Sequence, residues 1–398
     1  MLNENAINNL LNRLSENLKA SKSEIFDANQ KDIQTAKKKH KDNAFIERLT
    51  VSEKTLNSML ISLKEIIAQP FPLGKVIKEW KVSHNGLEIK RITCPIGKIL
   101  IIYESRPNVT LDAFALCFKS GNSCILRGGS ESFETSSKIV EIIHKSFDNE
   151  GLSSHKNLVE YVKTTDRTAM VELLKRHDEI DLVIPRGGKN LVEFVASNTT
   201  IPILKHLDGN CHTYIENTAN PQKAIEVLRN AKLRRVSVCG ATESLVIDEA
   251  FAKQHLREII SSMPECEFVG CEQAVQIDNR IKLATNEDFY TEFLTSKISA
   301  KVVNNINEAI VFINGHSSKH TEAILSENTD AVQKFFEKID SANVMHNVST
   351  QFADGYEFGL GAEIGIATGK IHARGPVGLQ ELVIYKNIVS AQGYAMRP

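Results

Sequence analysis

Three times in the first half of the chain, an apolar run stops at a polar or glycine-rich break that opens into a helical pattern. This repetition restricts the fold more than any other feature. Ile99 to Tyr103 runs into Glu104-Ser105-Arg106-Pro107-Asn108, then Val109 to Lys119. Cys124-Ile125-Leu126 runs into Arg127-Gly128-Gly129-Ser130, then a helix to about Phe147. Asp181 to Ile184 runs into Pro185-Arg186-Gly187-Gly188-Lys189, then Asn190 to Ser197. Strands alternating with helices imply a parallel sheet covered on both faces. Ligands bind beyond the carboxyl ends of such strands, so the three breaks are expected to share one crevice. Two of them set Gly-Gly and a cation before a helix N-terminus, where unpaired amides and the helix dipole favour a phosphate.

The rest of the chain follows the same logic. Ile7, Leu10, Leu11, Leu14 and Leu18 are spaced for a helix, and more helix follows to Pro70. Trp80 to Ser83 and Leu87 to Thr93 flank His84-Asn85-Gly86, a hairpin signal. A second α/β region begins near Ala231, with a strand at Glu243 to Ile247 and a helix at Glu249 to Ser262. Glycine dominates from Gly355 to Gly378, and Leu379 to Val389 reads as strand. At 398 residues, two or three domains are expected.

Lys plus Arg number 48 against 49 for Asp plus Glu, so charge gives no reason to expect a nucleic-acid or membrane partner. The longest apolar runs are far short of a membrane span. The N-terminus has the marks of neither a secretory signal nor a transit peptide. The seven cysteines are odd in number and form no CxxC pair, which favours reduced thiols in the cytosol over disulfides or zinc. GxGxxG, P-loop, HExxH and GxSxG motifs are all missing. Spacing alone indicates an α/β enzyme with a phosphate-bearing cofactor.

Cys239 stands in a loop between a helical stretch, Ala224 to Arg235, and a strand. That helix ends in Lys232, Arg234 and Arg235, and a thiol after a basic helix end can have a lowered pKa. The competing reading is a buried structural cysteine, which spacing alone favours.

Several blocks, in order and spanning most of the chain, shift that balance. They are Ile102 to Thr110, Ser120 to Glu131, Ile184 to Gly188, Lys205 to His212, Phe352-Ala-Asp-Gly, Glu357 to Gly365 and His372 to Pro376. Together they resemble the gamma-glutamyl phosphate reductases, of the aldehyde dehydrogenase superfamily. The resemblance implies an aldehyde dehydrogenase-like α/β fold in three parts. A Rossmann-like NADP-binding domain would take 1–77, 96–230 and 365–378. A catalytic α/β domain would take 231–364, and a β oligomerisation element 78–95 and 379–398. Cys239 matches the nucleophile and Asn108 the oxyanion-hole asparagine. Arg127, with Gly128, Gly129 and Ser130, matches the segment at the adenosine ribose. Arg186, Gly187 and Gly188 fall at the cofactor edge, and Glu292 resembles the glutamate on the nicotinamide-side ribose. Two positions depart from the pattern: Cys239-Gly240 stands where the family usually has Cys-Asn, and Gln351 where it usually has arginine. His206, His212 and His372 read as structural, and no spacing suggests a metal.

The implied reaction is NADPH-dependent reduction of L-glutamyl 5-phosphate to L-glutamate 5-semialdehyde through a cysteine thioester, in proline biosynthesis. A cytoplasmic homo-oligomer, dimer or tetramer, is implied, as is transient contact with the upstream glutamate kinase. One rival is a general aldehyde dehydrogenase that releases its product to water. Such enzymes carry a glutamate base where this chain has His206-Leu207-Asp208-Gly209. The other rival is an inactive scaffold, whose only support is Gly240 and Gln351.

Overall fold

Apolar residues at helical spacing become helices at the N-terminus of the computed structural model, which describes residues 2–104, 106–164 and 166–397. They are α1 (Glu4–Ala20), α2 (Lys22–Lys38), α3 (Asn43–Leu49) and α4 (Glu53–Ala68). Asn3 caps α1 by accepting from the Ala6 amide at 2.9 Å, and Ile7, Leu10, Leu11, Leu14 and Leu18 form its buried stripe. Strands β1 (Val76–Lys81) and β2 (Glu88–Pro95) then form the expected hairpin, with Trp80 opposite Ile89. Its turn needs a left-handed residue, and Gly86 supplies it at φ +70°.

The three alternating units form as read. They comprise β3 (Lys98–Tyr103), α5 (Asn108–Lys119), β4 (Ser123–Arg127), α6 (Phe133–Asn149), β5 (Val159–Tyr161), α7 (Arg167–Leu174), β6 (Leu182–Arg186) and α8 (Lys189–Ser197). The strands pair in parallel in the order β5-β4-β3-β6. Central β3 is buried from Ile99 onward, which explains why it reads as an unbroken apolar run. Ser105, in the break after β3, lies outside the described residues.

A second parallel sheet follows. It is built from β7 (Cys211–Ile215), α9 (Pro221–Leu233), β8 (Thr242–Asp248), α10 (Glu249–Ser262), β9 (Glu267–Gly270), α11 (Glu272–Ile277), β10 (Lys282–Leu283), β11 (Lys297–Val303), α12 (Ile306–His316), β12 (Thr321–Leu325), α13 (Thr329–Lys338) and β13 (Asn343–His346). The strand order is β10-β9-β11-β8-β7-β12-β13. Leu245 and Ile247 of β8 pack on one face with Phe251 and Ile298, while Val246 packs on the other with Tyr214 and Phe335. The chain ends with the short pair β14 (Gly365–Ala367) and β15 (Gly375–Val377), then β16 (Val383–Ser390). β16 lies antiparallel to β2, giving the three-stranded sheet β1-β2-β16.

The chain divides into two compact units: Met1–Lys205, Gly359–Gly365 and Val377–Pro398; and His206–Phe358 with Ile366–Pro376. The sequence-based boundary at 230/231 falls inside the second unit. The reason is β7, which pairs with both β8 and β12 and so carries 206–230 into that sheet. The stretch 365–378 is likewise split, and Arg374 is tied to Asp340 of the second unit at 2.9 Å.

Candidate active site

In the second unit, the parallel register brings three segments to one edge. Cys211 at the start of β7 stands opposite Thr242 at the start of β8, and Glu322 of β12 stands opposite His212. Residues just before β7, β8 and β12 therefore meet at the amino ends of these strands. They are His206 to Asn210, Cys239-Gly240, and His320.

Cys239 is half-buried in the turn before β8. The segment before β7 passes directly against its peptide. A Cβ on Gly209 would fall 2.7 Å from both the Cα and the carbonyl carbon of Cys239, closer than any real Cβ stands. Cys211 Sγ donates to the Cys239 carbonyl at 3.1 Å. Ligand atoms of Cys239, His206 and His320 all lie within 4.8 Å of one another. His320 is fully buried, and burial, with His206 next, pushes its imidazole down to about 3, so it is neutral. Its Nδ1 sits 2.9 Å from the Thr321 hydroxyl, and its Nε2 has no hydrogen-bond partner. Burial and the Glu322 charge push the Cys211 thiol well above its ordinary value, and burial pushes the Cys266 thiol up to about 12. Both stay protonated and unreactive.

The helix leading to Cys239 is anchored by polar contacts. Lys232 Nζ donates to Glu243 Oε2, with both side chains fully buried. The Lys232 charge is thus met inside the sheet, and of the basic helix end only Arg234 and Arg235 are exposed. Glu243 also accepts from the Leu294 amide at 3.3 Å; burial above all, and least the charge of nearby Glu292, raises its pKa, so half-buried Glu292 belongs to the same neighbourhood. Gln351 Nε2 donates to the carbonyls of Asn230 (3.2 Å) and Ala231 (2.9 Å), capping the end of α9. Its Oε1 accepts from Arg234 Nη1 at 3.2 Å. A Cβ on Gly240 would meet the Thr350 carbonyl at 3.1 Å, so a side chain there needs the Thr350 segment to give slightly.

In the first unit, Arg127 ends β4 and Arg186 ends β6, on either side of β3, with Ile102 opposite Arg127 and Tyr103 opposite Arg186. Arg127 is 8% exposed, and its Nη2 donates to the Asp166 carbonyl at 3.3 Å. Asn108 opens α5 and hydrogen-bonds Asp112, whose carboxyl is also held by Ser62 at 2.8 Å. Burial pushes that carboxyl up to about 6, against these bonds and the Arg186 charge. Gly128, Gly129 and Ser130 form the turn after β4. One expectation needs correction: the amides at these helix starts are not all unpaired. The Gly188 amide donates to Glu104 Oε2 at 3.0 Å, and Asp32 accepts from the Glu134 and Thr135 amides at the start of α6. The protein's own carboxylates already meet both helix dipoles. A cavity of about 520 Å³ beside β5, lined by Ser137, His144 and Tyr161 among others, includes none of the expected site residues.

His212 is buried, its Nδ1 at 2.9 Å from buried Glu322. His206 instead joins the cysteine cluster. Sequence reading misses His320, because a histidine one residue before a strand carries no local signal. Only the order β8-β7-β12 places it beside Cys239.

No protein-family model matches the chain. It is 49% identical over 389 residues to the gamma-glutamyl phosphate reductase of Erythrobacter litoralis, covering 98% of this chain and 91% of that one. The crystal structure of gamma-glutamyl phosphate reductase from Thermotoga maritima superposes with a TM-score of 0.96 at 38% identity, over 100% of this chain and 95% of that one. An acetylating aldehyde dehydrogenase from Geobacillus thermoglucosidasius shares the fold, with a TM-score of 0.66 at 15% identity over 100% and 93% of the two chains.

Proposed function

We propose a cysteine-thioester mechanism from one premise: the chain belongs to the gamma-glutamyl phosphate reductase family. It is an oxidoreductase that converts L-glutamyl 5-phosphate to L-glutamate 5-semialdehyde and phosphate, the second step of proline biosynthesis from glutamate. The observation that carries the mechanism is the setting of Cys239. It is half-buried in a turn, with His206 and His320 beside its sulfur, while Cys211 and Cys266 are held protonated.

The Cys239 thiolate attacks the γ-carbonyl, and phosphate leaves with the bonding pair. One difficult reduction becomes two easier steps. The Cys239 amide serves as an oxyanion donor, a role worth roughly 10²–10³ in rate. Asn108, which matches the family's oxyanion-hole asparagine, has its side chain held by Asp112. NADPH, when bound, supplies the hydride that reduces the thioester carbon. Collapse of the thiohemiacetal then frees semialdehyde and thiolate.

The donor set fits a phosphate-bearing cofactor. Arg127 and Arg186 end strands flanking β3, and an arginine fork matches a 2′-phosphate. Gly128, Gly129 and Ser130 would hold the adenosine side, with Arg186, Gly187 and Gly188 at the same edge; Glu292, in the second unit, matches by resemblance the glutamate of the nicotinamide-side ribose. Because carboxylates already take amides at the starts of both α6 and α8, the phosphate falls to a guanidinium, that of Arg127 in this reading. A homo-oligomer through β1-β2-β16 is supported by the exposed Val76, Ile77, Ile384, Tyr385, Ile388 and Val389 on that sheet. No helix is long and apolar enough to cross a membrane among the described residues. Reduced cysteines, all free, suit the cytosol.

Position 351 has its own reading. Arg234, held on Gln351, supplies the cation that arginine at 351 would carry.

Turnover of purified Cys239→Ser tests the mechanism. Activity should vanish with the fold intact, while Cys211→Ser, whose hydroxyl can still donate to the Cys239 carbonyl, should be far milder. Near-normal turnover of Cys239→Ser would overturn the thioester route.

A further inference from the structure

The cluster around Cys239 has a chemistry that the reductase reaction does not use. Its three groups come from segments far apart in sequence, at residues 206, 239 and 320, yet their ligand atoms lie within 4.8 Å of one another. His320 is fully buried, with Nδ1 occupied by the Thr321 hydroxyl and Nε2 left without a partner. A buried nitrogen in that state costs free energy unless something binds it. One histidine nitrogen fixed by a hydrogen bond while the other stays open is the arrangement of a metal-ligating imidazole.

We propose that Cys239, His206 and His320 form a three-ligand site for a borderline-soft divalent ion, Zn²⁺ above all, which occupies the thiolate in competition with the acyl substrate. Two imidazoles and a thiolate suit zinc, copper or cobalt over magnesium or calcium. Metal–ligand bonds of about 2.0–2.3 Å place tetrahedral ligands roughly 3.3–3.8 Å apart. A closure of about 1 Å from the present spacing reaches that geometry, and His206, half-buried in the loop before β7, can make it. The fourth position stays open to water. No electron is transferred: the thiol loses a proton to solvent as the metal–sulfur bond forms. Competition with substrate rests on Cys239 being the nucleophile, while metal binding itself does not.

The test is a Co²⁺ titration of the metal-stripped enzyme, followed by absorption. The account expects about one Co²⁺ per chain, with intense four-coordinate visible bands and a thiolate-to-cobalt band in the near ultraviolet, all displaced by Zn²⁺. Cys239→Ser should remove the thiolate band. His320→Ala and His206→Ala should each weaken Zn²⁺ binding at least about tenfold, the loss caused even by outer partners of a metal site. His206→Ala keeps the test open if the buried His320→Ala fails to fold. A missing thiolate band, its survival in Cys239→Ser, or unchanged Zn²⁺ affinity in folded histidine variants would overturn the site. Zn²⁺ should also block turnover and slow alkylation of Cys239 by iodoacetamide. Metal binding through these residues with turnover untouched would uphold the site and overturn Cys239 as nucleophile.

Discussion

Gly209 and Cys239 are in backbone contact: a Cβ on Gly209 would stand 2.7 Å from both the Cα and the carbonyl carbon of Cys239. The loop before β7 is thus pressed onto the turn that presents the thiol. Neither partner in the clash is a flexible side chain, so an added methyl group must displace backbone.

Gly209→Ala should therefore shift the nucleophile itself. Overpacking of this kind costs about 1–3 kcal/mol of stability. A displacement near 1 Å at the reacting group costs about 10² in rate. The expected result is a kcat loss of that order with a modest fall in Tm, read from steady-state kinetics and thermal melts on one preparation. Unchanged kcat would mean that the two segments can separate without moving the thiol.

Arg234 and Gln351 make a charge-swap experiment possible. Arg234→Gln should lower kcat/KM for the acyl phosphate by roughly 10–100-fold, the size of a hydrogen bond to a charged group at about 1.5–3 kcal/mol. Adding Gln351→Arg to that variant should restore most of the loss, since arginine can still donate to the Asn230 and Ala231 carbonyls. If Arg234→Gln has normal kcat/KM, the cation at this place is dispensable.

The buried Lys232–Glu243 pair makes a stability prediction with a pH signature. Lys232→Met leaves a buried carboxylate uncompensated and should cost about 3–5 kcal/mol in chemical denaturation, much of it recovered by adding Glu243→Leu. In the parent protein, burial holds the Glu243 carboxyl up at about 7, above its ordinary 4.5. The folded chain therefore keeps this proton more tightly than the unfolded chain. That contribution to stability is complete below pH 4.5 and is lost as pH rises to about 7. The stability difference between the parent and Glu243→Gln should change in that window and be flat above it. A pH-independent difference would mean that Glu243 ionises alike in both states.

The alternating units and the hairpin were legible because each is a local pattern. An apolar run such as Ile99 to Tyr103 and a turn such as Asn85-Gly86 declare themselves within a few residues. The boundary at Lys205 was not legible, because β7 begins at Cys211 in a short, mixed segment, Cys-His-Thr-Tyr-Ile, without strand alternation. Only its pairing with β8 and β12 assigns it. His320 and Gly209 were hidden for the same reason, since parallel register across the sheet brings them to Cys239. Glu104 and Asp32 at the starts of α8 and α6 show a further limit. A glycine-rich helix start advertises an anion site, but a distant carboxylate can fill it. Gln351 read as a lost charge, whereas it caps α9 and holds Arg234.

The segment pressed against Cys239 also bears on where the acyl group goes. It carries His206, Leu207 and Asp208, and no glutamate that could deprotonate water. Water at neutral pH is a poor nucleophile without such a base, whereas phosphate is already an anion. The most direct measurement follows NADPH formation during semialdehyde oxidation in phosphate-free buffer. The account predicts a burst of about one NADPH per active site as the thioester fills, then a stall, and steady turnover once phosphate is added. Sustained turnover without phosphate, with free glutamate as product, would contradict it.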